Sequence, residues 1–175
     1  MANVSNVKSK FFGAVDALDA DGISTAATIG SATTLTVATH AGRIITCNDA
    51  NGKFTLPTIT SGSVGAGAGA NDPNVQSNLG CTYLFWVQTA ATDMDIKTDG
   101  TDKFYGAIFN GVDSAATGEC FAADGADNDV FTQNGGTKGG KIGSWVEFTA
   151  IASAKYFVRG SLIGSGTIAT PFADA

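Results

Sequence analysis

The feature that most constrains the fold is a series of short apolar runs separated by Gly, Asn and Asp. Runs of this length are typical of β-strands, and the residues between them are those that tight turns require. About eight such runs predict an all-β domain, either an antiparallel β-sandwich or a jelly-roll-like fold. The runs span 34–37, 43–47, 53–57, 82–88, 94–100, 103–109, 144–151 and 155–163.

The amino-acid composition also favours a β fold. Of the 16 acidic residues only Glu119 and Glu147 are glutamates, and Gly supplies 23 residues. Good helix formers are therefore scarce, whereas strand and turn formers are abundant. A chain of 175 residues has the size of one domain. We predict a short N-terminal arm over 1–32 and a β-sandwich domain over 33–170.

Two strand predictions are specific enough to test. The run 82–88 has apolar side chains on both faces, which predicts a central strand that is covered on both sides. Asn51-Gly52 is a turn signal, so we predict that 43–47 and 53–57 form a hairpin around it. Most aromatic residues fall inside strand runs and are expected in the core, with exposure of Trp86 or Trp145 left open.

Two segments lie outside the regular strand pattern. The N-terminal segment has apolar residues close to one helical face at Val7, Phe11, Phe12, Val15 and Leu18. It is either a short arm or a frayed terminus. The Gly-rich segment 60–80 has no packing period, and it is either a contact loop or disordered.

Charge and hydropathy exclude several partners. The formal net charge is −6 and the isoelectric point is near 4.5, which argues against nucleic acid, because phosphate contacts need clustered Lys and Arg. No run approaches the ~20 apolar residues of a membrane span. The N-terminus lacks the features of a signal peptide, so we expect synthesis in the cytoplasm.

The residues needed for catalysis are sparse, and we predict that the chain is not an enzyme and has no cofactor. His40 is the only histidine, so any Ser-His or Cys-His dyad would have to use it. The odd number of cysteines, without a CxxC pair, predicts buried thiols. A Glu/Asp pair of the glycosidase type is possible but unspecific. Calcium is a candidate at 124–129 and 16–22, but both segments depart from the EF-hand spacing, and turn-forming Asp is the simpler interpretation.

The order of the strand motifs resembles that of the head decoration or fibre-like structural proteins of tailed bacteriophages. A strand ending in LeuPro, a Gly-led TyrXxxPhe strand and a closing Trp/Val-Gly hairpin follow one another over roughly 33–165. The motifs are THAGRII at 39–45, KFTLP at 53–57, YLF at 83–85, the segment 94–106, GGKIGSWVEF at 139–148 and YFVRG at 156–160.

This resemblance implies a virion protein that lies on the outer capsid surface after synthesis in the host cytoplasm. The implied partners are the major capsid protein and further copies of the chain, which would form a homotrimer. The resemblance carries over no catalytic residue. The apolar cluster Val7, Phe11, Phe12, Val15 and Leu18 then becomes the predicted contact with the capsid or a neighbouring subunit. The alternative is a receptor- or carbohydrate-binding tip of a phage fibre, with a calcium-dependent hydrolase as a minor third class.

Overall fold

The computed structural model describes residues 23–24, 32–60, 77–114 and 117–175, which form two β-sheets around a common core. The prediction of an all-β sandwich is therefore confirmed. The elements are β1 (Ile23–Ser24), β2 (Ala32–Thr34), α1 (Val37–His40), β3 (Arg43–Cys47), β4 (Lys53–Thr55), β5 (Thr82–Val87), β6 (Met94–Lys97), β7 (Lys103–Val112), β8 (Glu119–Asp124), β9 (Val130–Gln133), β10 (Trp145–Ala152), β11 (Lys155–Gly164) and β12 (Phe172–Ala173).

The two sheets are mixed, unlike the mainly antiparallel arrangement that the sequence predicts. One sheet has seven strands in the order β1-β3-β5-β10-β11-β7-β8, and the other has five in the order β12-β9-β6-β4-β2. From β1 to β7 the chain changes sheet at every strand. A chain that crosses over and back returns in the same direction, so β1, β3 and β5 are parallel, as are β2, β4 and β6.

The predicted hairpin around Asn51-Gly52 is wrong, although the turn itself is present. The Asp49 carboxylate accepts a hydrogen bond from the Asn51 amide at 3.0 Å, and the Asp49 carbonyl accepts one from the Gly52 amide at 3.3 Å. The strands on either side, β3 and β4, lie in different sheets. The turn therefore carries the chain across the sandwich, because both strands place apolar residues in the same core.

Most of the strand runs are confirmed, with local differences. Strand β6 has Met94 and Ile96 buried and Lys97 exposed, as the alternation predicts. The run 34–37 is not one strand, because β2 ends at Thr34 and Thr36 begins α1 by accepting a hydrogen bond from the Thr39 amide. Strands β8 and β9 both lie between the predicted runs 103–109 and 144–151, where the eight runs include no strand.

An aromatic cluster joins the two sheets. Phe148 of β10 is fully buried, and its ring lies 4.9 Å from that of Phe104, 5.9 Å from that of Phe85 and 5.8 Å from that of Phe131. Phe131 belongs to β9 in the five-stranded sheet, so Phe148 packs across the interior. These tilted and edge-to-face contacts are those that aromatic pairs prefer.

The sheets extend slightly beyond the predicted domain bounds of 33–170. Strand β1 pairs in parallel with β3, with Ile23 opposite Ile44, although it falls in the segment predicted as an arm. Strand β12 pairs antiparallel with β9, with Phe172 opposite Phe131. In the part of the chain that the structure describes, no helix has the length and apolar character needed to cross a bilayer.

Candidate functional site

The outward side of the seven-stranded sheet is the candidate functional site, and its character follows from alternation along the strands. In β5, Tyr83, Phe85 and Val87 are buried, so Leu84 and Trp86 point away from the core. Trp86 is 38% exposed. Strand β5 is central, as predicted, but the prediction that it is covered on both faces is wrong.

Apolar side chains recur on this outward side along the neighbouring strands. Each is followed by a buried residue of its own strand, so alternation along the strand directs it away from the core. We call this surface the outer apolar face. Its large residues are Ile44, Leu84, Trp86, Phe109, Trp145 and Phe157, and all except the half-buried Leu84 are between 37% and 50% exposed.

The centre of the outer apolar face is a shallow groove of about 360 Å³. Trp86 and Trp145 are direct cross-strand partners in the antiparallel pair of β5 and β10. Leu84 is paired with Ile44 on one side and with Glu147 on the other. These residues therefore form two adjacent rows across the sheet, and the groove is lined mainly by aromatic and aliphatic side chains.

One ion pair crosses the groove floor. The Arg159 Nε donates a hydrogen bond to Glu147 Oε1 at 2.8 Å, and a terminal guanidinium nitrogen lies 2.8 Å from the same oxygen. The Glu147 side chain is 17% exposed and the Arg159 side chain 60% exposed. The pair thus places one anion and one cation on an otherwise apolar surface.

The outward side of the five-stranded sheet has a different character. Lys53 lies 2.7 Å from Asp95 and 2.9 Å from Asp93, and Lys97 and Thr132 stand on neighbouring positions. The exposed large apolar side chains that lie in described strands all belong to the seven-stranded sheet. One outward side of the sandwich therefore presents apolar side chains, which are typical of binding surfaces. The other presents charged and polar side chains, which are typical of solvated surfaces.

The predicted contact residues of the arm, Val7, Phe11, Phe12, Val15 and Leu18, lie outside the described residues. The same holds for 61–76, most of the Gly-rich segment. The end of that segment is anchored: the Asn78 carboxamide accepts a hydrogen bond from the Thr60 amide at 2.8 Å and donates one to the Thr58 carbonyl at 2.9 Å.

The prediction of buried thiols is correct for only one cysteine. Cys47 is buried in the core, and its burial raises the pKa of the thiol to about 12. Cys81 is half-buried, and burial raises its thiol pKa as well. Cys120 is exposed on the outward side of β8, opposite Phe109. It is exposed because β8 is an edge strand with its outward residues beside the outer apolar face.

His40 ends α1 and serves the local backbone. Its Nδ1 accepts a hydrogen bond from the Thr36 amide at 3.0 Å. Burial lowers the pKa of the imidazole; the nearby charge of Arg43 acts in the same direction, whereas a hydrogen bond with the Thr36 backbone opposes it. The imidazole therefore stabilises the turn after β2 through its hydrogen bond with the Thr36 backbone.

The calcium candidate at 124–129 is a hydrogen-bonded turn. The Asp124 carboxylate accepts hydrogen bonds from the amides of Ala126 at 3.0 Å and Asp127 at 3.3 Å, and these bonds lower its pKa. Asp129 is buried and paired with Lys103 at 2.7 Å. Within the described residues no three His, Cys, Asp or Glu side chains form a group that could hold a metal ion. The segment 16–22 lies outside the described residues.

The two glutamates do not form a carboxylate pair. Glu147 lies on β10 and Glu119 on β8, with β11 and β7 between them. Strand spacing alone separates their backbones by about 14 Å. Glu119 is in register with the inward-facing Asn110, whereas Glu147 faces outward. A glycosidase pair needs a separation of about 5–9.5 Å on one surface.

The outer apolar face as a whole is not among the sequence predictions. Aromatic and β-branched residues in a strand are expected to be buried unless another signal opposes it. The sequence also does not specify which side of a central strand the second sheet covers. The available signal was Glu147, a charge in the middle of an apolar strand, together with Arg159 at a matching alternate position. Both mark the side that faces solvent.

No protein-family model, no curated protein and no solved structure matches this chain. The resemblance to phage decoration proteins therefore stays a prediction.

Proposed function

We propose that this chain is a structural protein of a virion, which decorates the outer surface of the capsid and acts in many copies without catalysis. Its partners in this proposal are the major capsid protein and other copies of the chain, which the motif order predicts as a homotrimer. The observation that supports it best is the outer apolar face, since a surface of this kind is suited to a protein contact.

The size of the face supports a protein partner. Its five most exposed large side chains are 37–50% accessible, which amounts to on the order of 400 Å² for residues of this size. Monomeric proteins rarely expose contiguous apolar patches larger than a few hundred Å² unless the patch has a function. Covering that area would contribute about 10 kcal/mol before the cost of association is subtracted.

A shell-binding experiment tests the proposal. The chain is produced together with the major capsid protein of the same genome, and assembled shells are sedimented. The full chain is expected in the pellet with the shells. A chain without residues 1–20 is expected to stay in the supernatant with an unchanged β circular-dichroism spectrum, because the arm is the predicted capsid contact. A full chain that remains in the supernatant would contradict the proposal.

A second candidate function is that of a carbohydrate-binding tip, and the groove favours it specifically. Trp86 and Trp145 are half-exposed beside a carboxylate and a guanidinium. Flat indole rings stack on the apolar faces of sugars, and the ion pair offers acceptors and donors for hydroxyl groups.

A glycan array distinguishes this second candidate. Binding of the full chain that is lost in Trp86→Ala and kept in Val37→Ala would support a carbohydrate site. Val37 is a suitable control because it is 39% exposed on α1, away from the groove. An array without a signal, at protein concentrations of about 100 μM that would detect the weak binding of single sugars, would remove this candidate.

A further inference from the structure

We infer that the outer apolar face binds the same face of a second copy of this chain about a two-fold axis. The inference rests on the proposed function and deepens it, because it names the partner that covers the face. It differs from the proposed function in one respect, since it replaces the predicted homotrimer with a two-fold pair. It is carried by the charge pattern of the face, by its area, and by the position of the ion pair within it.

The charge pattern favours a second copy. The chain has a formal net charge of −6, so most pairs of surfaces on two copies repel each other. At the centre of the outer apolar face, Glu147 and Arg159 contribute one negative and one positive charge. Two copies that meet through this face therefore avoid the like-charge repulsion that opposes other contacts.

The ion pair also makes the face self-complementary. In a two-fold contact, residue i of one copy meets residue j of the other, and residue j meets residue i. Glu147 and Arg159 are cross-strand partners on β10 and β11. An axis that passes between these strands brings Glu147 of each copy toward Arg159 of the other, so that both charges keep an opposite partner. The 60% exposure of the Arg159 side chain leaves its guanidinium accessible for this second contact.

The apolar area fits such a contact. An interface of standard size buries about 800 Å² on each partner, and about 60% of that area, near 480 Å², is apolar. The large side chains of the face present on the order of 400 Å². Trp86 and Trp145 lie at its centre, where interfaces place the aromatic residues that contribute most to affinity.

Light scattering after size exclusion tests the inference with the full chain alone. We expect a mass of twice the 17.6 kDa of one chain. Glu147→Arg and Arg159→Glu each place like charges opposite one another in a two-fold contact, so each variant is expected to associate at least tenfold more weakly. Lys97→Glu is the matched charge reversal on the five-stranded sheet, and its mass should stay that of two chains.

Mixing the two charge variants provides the decisive measurement. The Glu147→Arg variant carries arginine at both positions 147 and 159, and the Arg159→Glu variant carries glutamate at both. The mixture should therefore recover a heterodimer with two opposite pairs, and only an intermolecular contact predicts this recovery. If the charge variants do not fold, Trp86→Ser and Trp145→Ser replace them, and both are expected to be monomers.

Three results would overturn the inference. They are a full chain that is monomeric at about 100 μM, a mass of three chains, and charge variants that stay monomeric when mixed. The solution mass does not involve a capsid, so shell binding by a monomeric chain would contradict the inference and leave the proposed role in capsid decoration standing. A dimer that fails to bind shells would contradict the proposed role in capsid decoration and leave the two-fold contact standing.

Discussion

At the scale of the residue, Phe148 has the largest predicted effect on stability. It is fully buried and contacts aromatic rings from both sheets. Replacing it with Ala removes these contacts and leaves a cavity, so we expect Phe148→Ala to lower the free energy of unfolding by about 3–5 kcal/mol. Urea denaturation measures this loss. Phe109→Ala is the matched control: Phe109 is 50% exposed, and the same change should cost about 1 kcal/mol.

The three thiols are expected to differ in reactivity. Cys120 is exposed, Cys81 is half-buried and Cys47 is buried, with a thiol pKa of about 12. A thiol-specific chromogenic reagent at pH 8 should therefore modify Cys120 rapidly, Cys81 slowly and Cys47 only when the chain unfolds. Cys120→Ser should remove the fast phase. A fast phase that survives this substitution would contradict the described position of β8.

The buried Cys47 thiol also predicts a dependence of stability on pH. Its pKa is about 12 in the folded chain and about 8.5 when unfolded. Between these values the unfolded chain loses the proton first, so the free energy of unfolding falls as pH rises, by up to about 1.4 kcal/mol per pH unit. Denaturation at pH 8 and pH 10 measures the slope. Cys47→Ala should reduce it, and an unchanged slope would assign the effect to other groups.

At the scale of the element, the parallel pairing of β7 and β11 depends on Gly106. Its φ is +124°, and a methyl group there would overlap the carbonyl oxygen of Val158 on β11. We expect Gly106→Ala to lower the free energy of unfolding by at least about 2 kcal/mol. Gly100→Ala is the control, because Gly100 also has a positive φ but open space around it. It should cost about 1 kcal/mol, and equal costs would show that the close strand approach is unimportant.

The same scale shows what the sequence can and cannot predict. Strands β5, β6, β10 and β11 follow from short apolar runs bounded by turn residues, because those signals lie within a few positions. The partners of a strand do not. The turn at Asn51-Gly52 is correctly predicted, yet whether β4 joins β3 or crosses to the other sheet depends on packing against residues far away in the chain.

At the scale of the whole molecule, intrinsic fluorescence gives a direct measure of the outer apolar face. The chain has two tryptophans, and both lie on this face. If the face is covered by a second copy, dilution should expose both indoles and shift the emission maximum to longer wavelength, in parallel with the loss of mass. Glu147→Arg should show the shifted emission at every concentration. An emission that is constant while the mass halves would place the contact elsewhere.

The candidate site was less predictable than the fold, because its exposure also depends on residues that are distant in the chain. An isolated sequence identifies Trp86 and Trp145 as strand residues that a core could bury, and only the sandwich shows that the second layer lies on the opposite side of β5 and β10. Conversely, the predicted arm contacts within 7–18 rest on spacing alone and stay predictions.

The strand order of the larger sheet has a consequence for how the chain emerges from the ribosome. Strands β5 and β7 are synthesised before β10 and β11, yet β10 and β11 lie between them in the finished sheet. The sheet therefore closes only when a late hairpin inserts into its middle. Nascent chains that stop before Trp145 lack that hairpin, and their strand edges are open to pairing with other chains. The hairpin of β10 and β11 is therefore needed before the facing edges of β5 and β7 are paired.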